Sequence, residues 1–296
     1  MQGVSPGRSA CAPGRCDWRL DGERVIIAAR EREEPSTSMA SNESGWLFPQ
    51  GKPAPAANPR PEAGRICFDI EIANVIDLKP GEDLDQYGPF DISVAAASTE
   101  SGEVRHWFDV DASGKPAHHI GAAKAREVLR YLRDAQLAGA QVCAWNGLSF
   151  DLRWLGAAAG DMDLASEVAL DLYDPMFQFF GARGFPIGLA SVAEGLGIEQ
   201  KKLMRGDQAP IEWARGNHQL VIDYVAGDCR ITSQVIARIV ATRTIRWKTK
   251  KGTWSTEPMP QLRRVRDVLG DPPPDTSWMS TPMKREKFHA WLTQPK

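Results

Sequence analysis

The sequence predicts an α/β domain in which a mixed β-sheet is flanked by helices, and three observations support this prediction. Short apolar runs of strand length open the patterned part of the chain. Two of these runs are joined by a turn-like segment, which indicates an antiparallel hairpin. Segments with helical spacing of apolar residues are interleaved with the strand candidates, as is typical of α/β proteins. We place this domain at residues 62–241.

The strand candidates begin with "ICFDIEIA" at residues 66–73. It is followed by "DISVAAAST" and "VRHWFDV", which the segment "ESGE" joins as a hairpin turn. The short apolar run "QVCAW" and the later segment "VALDLY" are the remaining strand candidates. Together they supply enough strands for one sheet.

Helical spacing of apolar side chains identifies the helices. The segment "KAREVLRYLRDAQLAG" ends at Gly139, a typical helix stop, and "FDLRWLGAA" has Ser149 in the cap position. The segments "PMFQFFGA" and "LASVAEGLG" are also predicted to be helical. The longest predicted helix is "HQLVIDYVAGDCRITSQVIARIVATR", with an apolar stripe of Leu220, Val221, Tyr224, Val225, Val235, Ile236 and Ile239.

Two regions outside this domain differ in composition. Residues 1–61 are rich in Pro, Gly and Ser, and we expect a disordered tail and linker there. Residues 242–296 form a basic, Trp-containing extension. This extension is predicted to contain a hairpin around Lys251 and Gly252, followed by a short terminal helix.

Composition and charge exclude several classes of protein. The 296-residue chain is 42% hydrophobic and 25% charged, which is ordinary for a globular protein. No apolar run reaches the ~20 residues that a membrane span needs, and no signal-peptide pattern opens the chain, so we expect a cytoplasmic protein without a membrane partner. The five cysteines include no C-x-x-C pair, so neither a disulfide framework nor a thiolate zinc site is indicated. Because the net charge is −2, a polyanionic partner requires a local basic patch or metal ions.

Two acids lie within the first strand candidate. Side chains alternate along a strand, so Asp69 and Glu71 project from the same face, about 6.6 Å apart at a rise of ~3.3 Å per residue. For this segment alone, the simpler explanation is a half-exposed strand whose polar face meets water. The same spacing also suits two carboxylates that share a cation.

Three further polar residues indicate a site. Asp151 falls in the first turn of a helix just beyond a strand end, where α/β folds commonly assemble sites. Tyr224 and Asp228 lie one turn apart on one helix face, and the neighbouring Gly227 is unfavourable within a helix. Each also has an ordinary structural explanation, as a first-turn acid, a core tyrosine and a solvated helix residue.

Four acids that converge in space require neutralisation. Their combined charge of −4 is tolerable only if they bind protons or cations. Ligands that are all oxygen suit Mg²⁺ or Mn²⁺. Two such ions ~3.5–4 Å apart can activate water and stabilise the leaving oxygen in phosphodiester cleavage. The pattern predicts a metal site formed by Asp69, Glu71, Asp151 and Asp228.

Three motifs resemble those of the DEDD 3′–5′ exonucleases. They are "FDIE", "NGLSFDLRWL" and "YVAGD", placed in that order on a strand, a turn followed by a helix, and a helix. The segment "IGLASVAEGLGIEQKKLMRGDQAPIEW" also resembles the helical segment before the third motif. In the histidine branch a His stands five residues before the last Asp, where this chain has Asp223, so the resemblance is to the tyrosine branch, DEDDy. It covers residues 65–240 and implies a ribonuclease H-like fold, similar to family B DNA polymerase proofreading domains.

The resemblance implies a role for each motif residue. Asp69, Glu71 and Asp228 hold one divalent cation, and Asp69 with Asp151, partly through water, holds the second. The two cofactors are Mg²⁺ or Mn²⁺ ions. Tyr224 is the remaining catalytic residue, and its neutral hydroxyl orients the attacking water. Attack on the terminal phosphodiester releases a nucleoside 5′-monophosphate.

Candidate substrate contacts lie in the second motif and in the C-terminal extension. From Thr242 to Arg266, eight basic residues are balanced by Glu257 alone, which gives this segment a net charge of +7. Basic residues interleaved with aromatic ones neutralise phosphates and stack bases, while the tryptophans equally suit a small hairpin core. Asn146 either binds substrate or makes the turn. The candidates are Asn146, Phe150, Arg246, Lys248, Lys250 and Lys251.

The sequence therefore predicts a metal-dependent 3′–5′ exonuclease whose partner is a nucleic acid with a 3′ end. DNA is favoured because the motifs resemble those of polymerase proofreading domains. An RNA exonuclease of the same fold is the first alternative, because the sequence does not reveal contacts to the 2′-hydroxyl. A non-catalytic nucleic-acid-binding module is the alternative from another class, favoured if the acids fail to converge.

Overall fold

The computed structural model describes residues 64–79, 81–199, 203–249 and 251–293. The expected disordered tail and linker at 1–61 and the candidate contact Lys250 lie outside the described residues. The described ranges contain the three motifs, the hairpin and the terminal helix of the extension. They are therefore sufficient to place the candidate catalytic residues.

A four-stranded mixed sheet forms the centre of the described fold. The strands are β1 (Arg65–Ile72), β2 (Ile92–Thr99), β3 (Val104–Trp107) and β4 (Gln141–Cys143). Their order in the sheet is β3-β2-β1-β4. Strand β2 pairs antiparallel with both β3 and β1, and β1 pairs parallel with β4. Tyr173 extends the sheet beyond β4 through a single parallel bridge to Cys143. The prediction of a mixed sheet is confirmed, as is the hairpin turn at residues 100–103.

Helices cover both faces of this sheet, which confirms the predicted α/β class. Two short 3₁₀ turns, Leu84–Tyr87 and Gly206–Gln208, lie in the connections. Among the described residues, no helix has the length and apolar character needed to cross a membrane. The helices are α1 (Ala122–Leu137), α2 (Asp151–Ala159), α3 (Met162–Leu170), α4 (Pro175–Arg183), α5 (Leu189–Gly195), α6 (Ala209–Ala214), α7 (His218–Thr242), α8 (Val265–Leu269) and α9 (Glu286–His289).

The alternation of side chains along β1 divides the core into two layers. Ile66, Phe68 and Ile70 pack with buried residues of α1, α2 and α3 in the larger cluster. On the opposite face, Cys67 packs against Ile236 of α7. The acids of β1 therefore project toward α7, because they share the parity of Cys67.

Two local predictions were wrong. The segment "VALDLY" is not a strand: α3 continues to Leu170, and only Tyr173 joins the sheet. Buried Ala165, Val168 and Ala169 have helical spacing, and a short apolar run does not distinguish a helix from a strand. Leu220 is 38% exposed, so it lies outside the buried stripe of α7.

The start of α2 also differs from the prediction. Its N-cap is Phe150, without a side-chain capping bond. Ser149 instead donates its hydroxyl hydrogen bond to Asn146 Oδ1, at 2.6 Å. The serine therefore stabilises the turn before the helix rather than the first helical turn.

The C-terminal extension packs closely on the rest of the described chain. It contains the predicted hairpin, with β5 (Thr244–Lys248) antiparallel to β6 (Trp254–Pro258). A Cβ atom at Gly195 would lie 2.2 Å from the carbonyl oxygen of Arg246, so glycine permits α5 to contact the hairpin backbone. Farther along, the ring of Phe288 contacts the rings of Phe177 and Phe180 within the larger core cluster.

Candidate metal centre

The first strand supplies two acids to one face of the sheet. Asp69 and Glu71 stand two residues apart on β1, and Glu71 is only 8% exposed. Their neighbours Phe68 and Ile70 point into the opposite hydrophobic layer. Burial of this apolar face determines the direction of both carboxylates, because a shift by one residue would exchange the two faces.

Helix α7 brings the third acid to this strand. Val221, Val225 and Cys229 pack against the β2 side of the sheet, and the Cys229 thiol donates to the carbonyl oxygen of Ala96 at 3.4 Å. This packing turns the helix face that carries Asp228 toward the acids of β1. Asp69, Glu71 and Asp228 form a group in which one carboxylate oxygen from each residue lies within 4.8 Å of the other two.

The fourth predicted acid joins this group from the second motif. Asp151 is 3% exposed at the start of α2, and its Oδ1 accepts a hydrogen bond from the Ile70 backbone N–H at 3.1 Å. Its carboxylate also pairs with the carboxyl group of Asp69, which donates when protonated. Asp151 therefore joins the other predicted acids through its contact with Asp69.

Burial and the charges of neighbouring acids raise the pKa values of three of these carboxyl groups. Burial is the main cause that raises the pKa of Asp69 and of Glu71, and the charges of the neighbouring acids raise both further. Burial also raises the pKa of Asp151 to about 7, although hydrogen bonds to its carboxylate oppose this shift. The group therefore holds protons readily unless another positive charge replaces them.

The donor set fits a divalent cation. Three carboxylates offer oxygen atoms at a mutual separation that one ion can bridge, and a fourth contacts Asp69. Hard oxygen donors of this kind match Mg²⁺ and Mn²⁺ better than the softer metals, which prefer sulfur and nitrogen. A cation would also relieve the repulsion that raises the pKa values of these acids.

Tyr224 lies beside the acids on α7. It is 6% exposed, and its hydroxyl forms a hydrogen bond with the Asp228 carboxylate. Burial, followed by the negative charges of Asp228 and Glu71, raises the pKa of Tyr224 above its ordinary value. The phenol is therefore protonated at neutral pH and acts as a hydrogen-bond donor.

Open space adjoins this part of α7. A cavity of about 250 Å³ is lined by residues that include Leu203, Tyr224, Gly227 and Asp228. A Cβ atom added at Gly227 would meet no described protein atom within 4 Å. The glycine is therefore not required by close protein packing, and its position leaves room for a ligand at the acids.

One buried acid was missed by sequence reasoning. Asp174 is 2% exposed and caps α4 through Phe177, while its carboxylate also accepts from the backbone N–H groups of Asn146 (3.1 Å) and Leu148 (3.2 Å). Burial raises its pKa to about 6. Asp174 thereby holds the turn that leads to Asp151. The sequence signal was present, since an Asp directly before Pro175 is a typical helix start.

Two candidate substrate contacts lie in this turn. Asn146 adopts the left-handed conformation with a φ of 70°, and Phe150 immediately precedes Asp151. Both line a cavity of about 540 Å³. Asn146 therefore makes the turn and also faces the cavity, so the two explanations of this residue are compatible.

The basic hairpin forms a separate feature. Arg246 and Lys248 lie over the Trp254 ring, at 5.0 and 5.7 Å from its centroid, and Lys248 also pairs with Glu194 at 2.8 Å. Trp254 is 45% exposed, whereas Trp247 is buried against Phe179. Of the hairpin residues that the structure describes, none lines either cavity, and this holds for Arg246, Lys248 and Lys251 alike.

Comparisons with known proteins add a distant structural likeness. No protein-family model matches the chain, and no curated protein matches it. One similar solved structure is the family B DNA polymerase from the hyperthermophilic archaeon Pyrobaculum calidifontis, at 16% sequence identity and a TM-score of 0.42. The match covers 60% of this chain and 25% of the polymerase chain, so this protein spans about a quarter of that polymerase's length.

Proposed function

We propose that this protein is a two-metal-ion 3′–5′ exonuclease that acts on nucleic acid, with DNA as the favoured substrate. The observation that carries this proposal is the convergence of Asp69, Glu71 and Asp228, which each place one carboxylate oxygen within 4.8 Å of the others. Asp151 and Tyr224 contact members of this group. The motif residues thus meet in space although they are separated by up to 159 positions along the chain.

The acids divide into two overlapping sets in this proposal. Asp69, Glu71 and Asp228 hold one cation, and Asp69 with Asp151 holds the second. When bound, the cations supply positive charge against the substrate phosphate and lower the pKa of water. The buried environment strengthens these electrostatic interactions, and β1 and α7 hold the carboxylates in fixed positions.

Tyr224 orients the attacking water. Its hydroxyl remains protonated and is held by Asp228, so it is a positioned donor rather than a base. Its position on α7, one turn before Asp228, keeps the phenol beside the acids. Attack at the terminal phosphodiester then releases a nucleoside 5′-monophosphate.

Replacing Tyr224 with phenylalanine is expected to lower kcat by about 10- to 100-fold, because the water loses one orienting partner. The ring remains to fill the buried site, so the free energy of unfolding should change by only about 1 kcal/mol. Steady-state hydrolysis and urea unfolding measure the two effects. A kcat equal to that of the wild type would remove Tyr224 from the mechanism.

Incubation with 5′-labelled substrates tests the proposed function. Purified protein is given single- and double-stranded DNA and RNA with Mg²⁺, Mn²⁺ or EDTA, and products are resolved by length. We expect a ladder that shortens from the 3′ end, that disappears with EDTA, and that is absent for Asp228→Asn. Asp134→Asn is the matched control, because Asp134 is an exposed helical acid on α1, outside the metal centre.

The same assay separates the alternatives. Shortening of RNA with no shortening of DNA would identify an RNA exonuclease of this fold. Binding of the substrates by the wild type without shortening would favour a nucleic-acid-binding module. Hydrolysis that persists both in EDTA and in Asp228→Asn would contradict the proposed metal centre.

A further inference from the structure

A second group of metal-ligating side chains is formed by residues other than the proposed catalytic acids. Asp91, His118 and His119 each place one ligand atom within 4.8 Å of the ligand atoms of the other two. All three residues are exposed, and none belongs to the three exonuclease-like motifs. Two of the three donors are imidazole nitrogens, whereas the candidate metal centre offers only carboxylate oxygens. The two groups therefore differ in the kind of metal ion that suits them.

Backbone hydrogen bonds hold the acidic member of this group in place. Asp91 directly precedes β2, and its N–H donates to Asn74 Oδ1 at 2.7 Å. The Asp91 carbonyl oxygen accepts from the Ala73 N–H at 2.8 Å. Both backbone groups are thus fixed against the segment that follows β1. The position of Asp91 is restrained while its carboxylate stays accessible to solvent.

The two histidines are anchored at the end of the connection between β3 and α1. The indole N–H of Trp213, a residue that is 1% exposed, donates to the carbonyl oxygen of His118 at 2.9 Å. Two residues after His118, the Ile120 N–H donates to the carbonyl oxygen of Ile92 at 2.8 Å. The second bond ties the histidine segment to the first residue of β2. It therefore explains why the histidines lie beside Asp91, which immediately precedes that strand.

The two imidazoles lie next to each other although the residues are consecutive. Consecutive side chains of an extended strand point to opposite faces, but the backbone bends at both His118 and His119. Their ring centroids are 5.7 Å apart, with an interplanar angle of 83°. Apart from this ring contact, the described part of the chain provides no hydrogen-bond or ion-pair partner for the side chains of the group. Their ligand atoms are therefore available to an ion.

We propose that Asp91, His118 and His119 bind a divalent transition-metal ion, with Zn²⁺ as the favoured ion. Imidazole nitrogen suits Zn²⁺, whereas Mg²⁺ prefers sites built from oxygen atoms. Zn²⁺ has no geometric preference from d-electrons, so it tolerates donors that come from two connecting segments. The bound ion joins the residue before β2 to the segment before α1. This site is independent of the proposed exonuclease function.

The geometry requires only a small closure around the ion. Zn²⁺ binds nitrogen and oxygen at about 2.0–2.2 Å, so two ligands of one ion lie at most about 4 Å apart. The exposed side chains reach this separation by rotation, since no packing restrains them in the described structure. Three protein ligands leave a coordination position for water.

Calorimetric titration of Zn²⁺ into the full-length, metal-depleted protein tests this site. All proteins carry Asp228→Asn, which removes one acid of the candidate metal centre, and the buffer contains excess Mg²⁺. The ligand variants are Asp91→Asn, His118→Gln and His119→Gln, which keep polar side chains of similar size. Circular dichroism verifies that each variant is folded.

Two matched controls make the same chemical changes elsewhere. Asp77→Asn neutralises another exposed acid in the connection between β1 and β2. His289→Gln removes a half-buried imidazole on α9, outside the group. Neither control should change the Kd for Zn²⁺.

We expect the Asp228→Asn protein to bind about one Zn²⁺ per chain at this site. Each ligand substitution should raise the Kd at least about tenfold, because loss of even an outer-shell partner typically costs 10- to 100-fold in metal affinity. The heat of Mg²⁺ titration should be the same with and without these substitutions, since Mg²⁺ does not favour imidazole ligands.

An unchanged Kd in either histidine variant would overturn the proposed site. Absence of Zn²⁺ binding in the Asp228→Asn protein, with binding by the wild type, would assign the ion to the catalytic acids instead. A stoichiometry of about half an ion per chain would place the ion between two copies and also contradict this proposal. None of these results bears on the exonuclease function, which the 3′-end ladder tests separately.

Discussion

Asp69→Asn is expected to abolish hydrolysis and, at the same time, to stabilise the metal-free protein. Asp69 belongs to both proposed cation-binding sets, so its loss should lower kcat by at least about 100-fold. In the absence of metal, the same carboxylate is buried among Glu71, Asp151 and Asp228, each of which raises its pKa. Removing one of four mutually repelling charges should raise the free energy of unfolding by about 1–2 kcal/mol at pH 8.

Asparagine preserves the shape of this site. Its amide N–H can donate to Asp151 in place of the bond that protonated Asp69 makes, so geometry and packing are retained. Urea unfolding in EDTA measures stability, and the labelled-substrate assay measures activity. Asp77→Asn is the matched control, because Asp77 is an exposed acid just beyond β1 and should change neither quantity. An active Asp69→Asn protein would refute the proposed site, and a destabilised one would refute the repulsion argument.

The metal-free protein should become less stable as pH rises from about 5 to 8. Four acids have pKa values above the ordinary values: Asp69 and Glu71 of β1, Asp151 of α2, at about 7, and the α4 cap residue Asp174, at about 6. At these four groups the folded protein therefore binds protons more tightly than the unfolded chain does, whereas the lowered pKa values of His106 and His289 act in the opposite direction. Each group's contribution to the free energy of unfolding is fully present at pH values below its pKa in the unfolded chain. This contribution is lost as the pH rises through the pKa of the same group in the folded protein.

The size of this effect makes it measurable. For each unit by which the pKa of a group in the folded protein exceeds its pKa in the unfolded chain, the free energy of unfolding changes by about 1.4 kcal/mol across the titration. Acids with lowered pKa values, such as Asp83 and Asp271, have the opposite dependence, but they titrate below this pH window. Asp174→Asn should reduce the dependence between pH 5 and 7 without neutralising any proposed metal-binding acid. This control separates the capping acid from the metal centre.

Divalent cations should reverse this pH dependence. They compete with protons for the same oxygens, so Mn²⁺ should stabilise the protein more at pH 8 than at pH 5. Urea unfolding at each pH, with Mn²⁺ or with EDTA, measures the difference. Stability that rises with pH in EDTA, or that does not respond to Mn²⁺ at pH 8, would contradict the electrostatic account of the acids.

Local patterns were sufficient to predict the elements that carry the candidate site. Alternation along β1 predicted that Asp69 and Glu71 share a face, and helical spacing predicted that Tyr224 and Asp228 lie one turn apart. Each of these two predictions depends only on the spacing between residues a few positions apart, and this spacing can be counted in the sequence. Where a short apolar run suited either element, as in "VALDLY", local pattern was not sufficient.

The amino-acid sequence by itself determined which side chains share a face of each strand or helix. The reason is that the regular repeat of the backbone fixes the direction of a side chain from its position along the element. Only tertiary packing decided that the Asp151 carboxylate accepts from Ile70, that Asp174 holds the preceding turn, and that Lys287 reaches the cavity beside Phe150. Such arrangements bring together residues as much as 137 positions apart. They depend on how the buried faces of several elements fit together, which no single stretch of sequence contains.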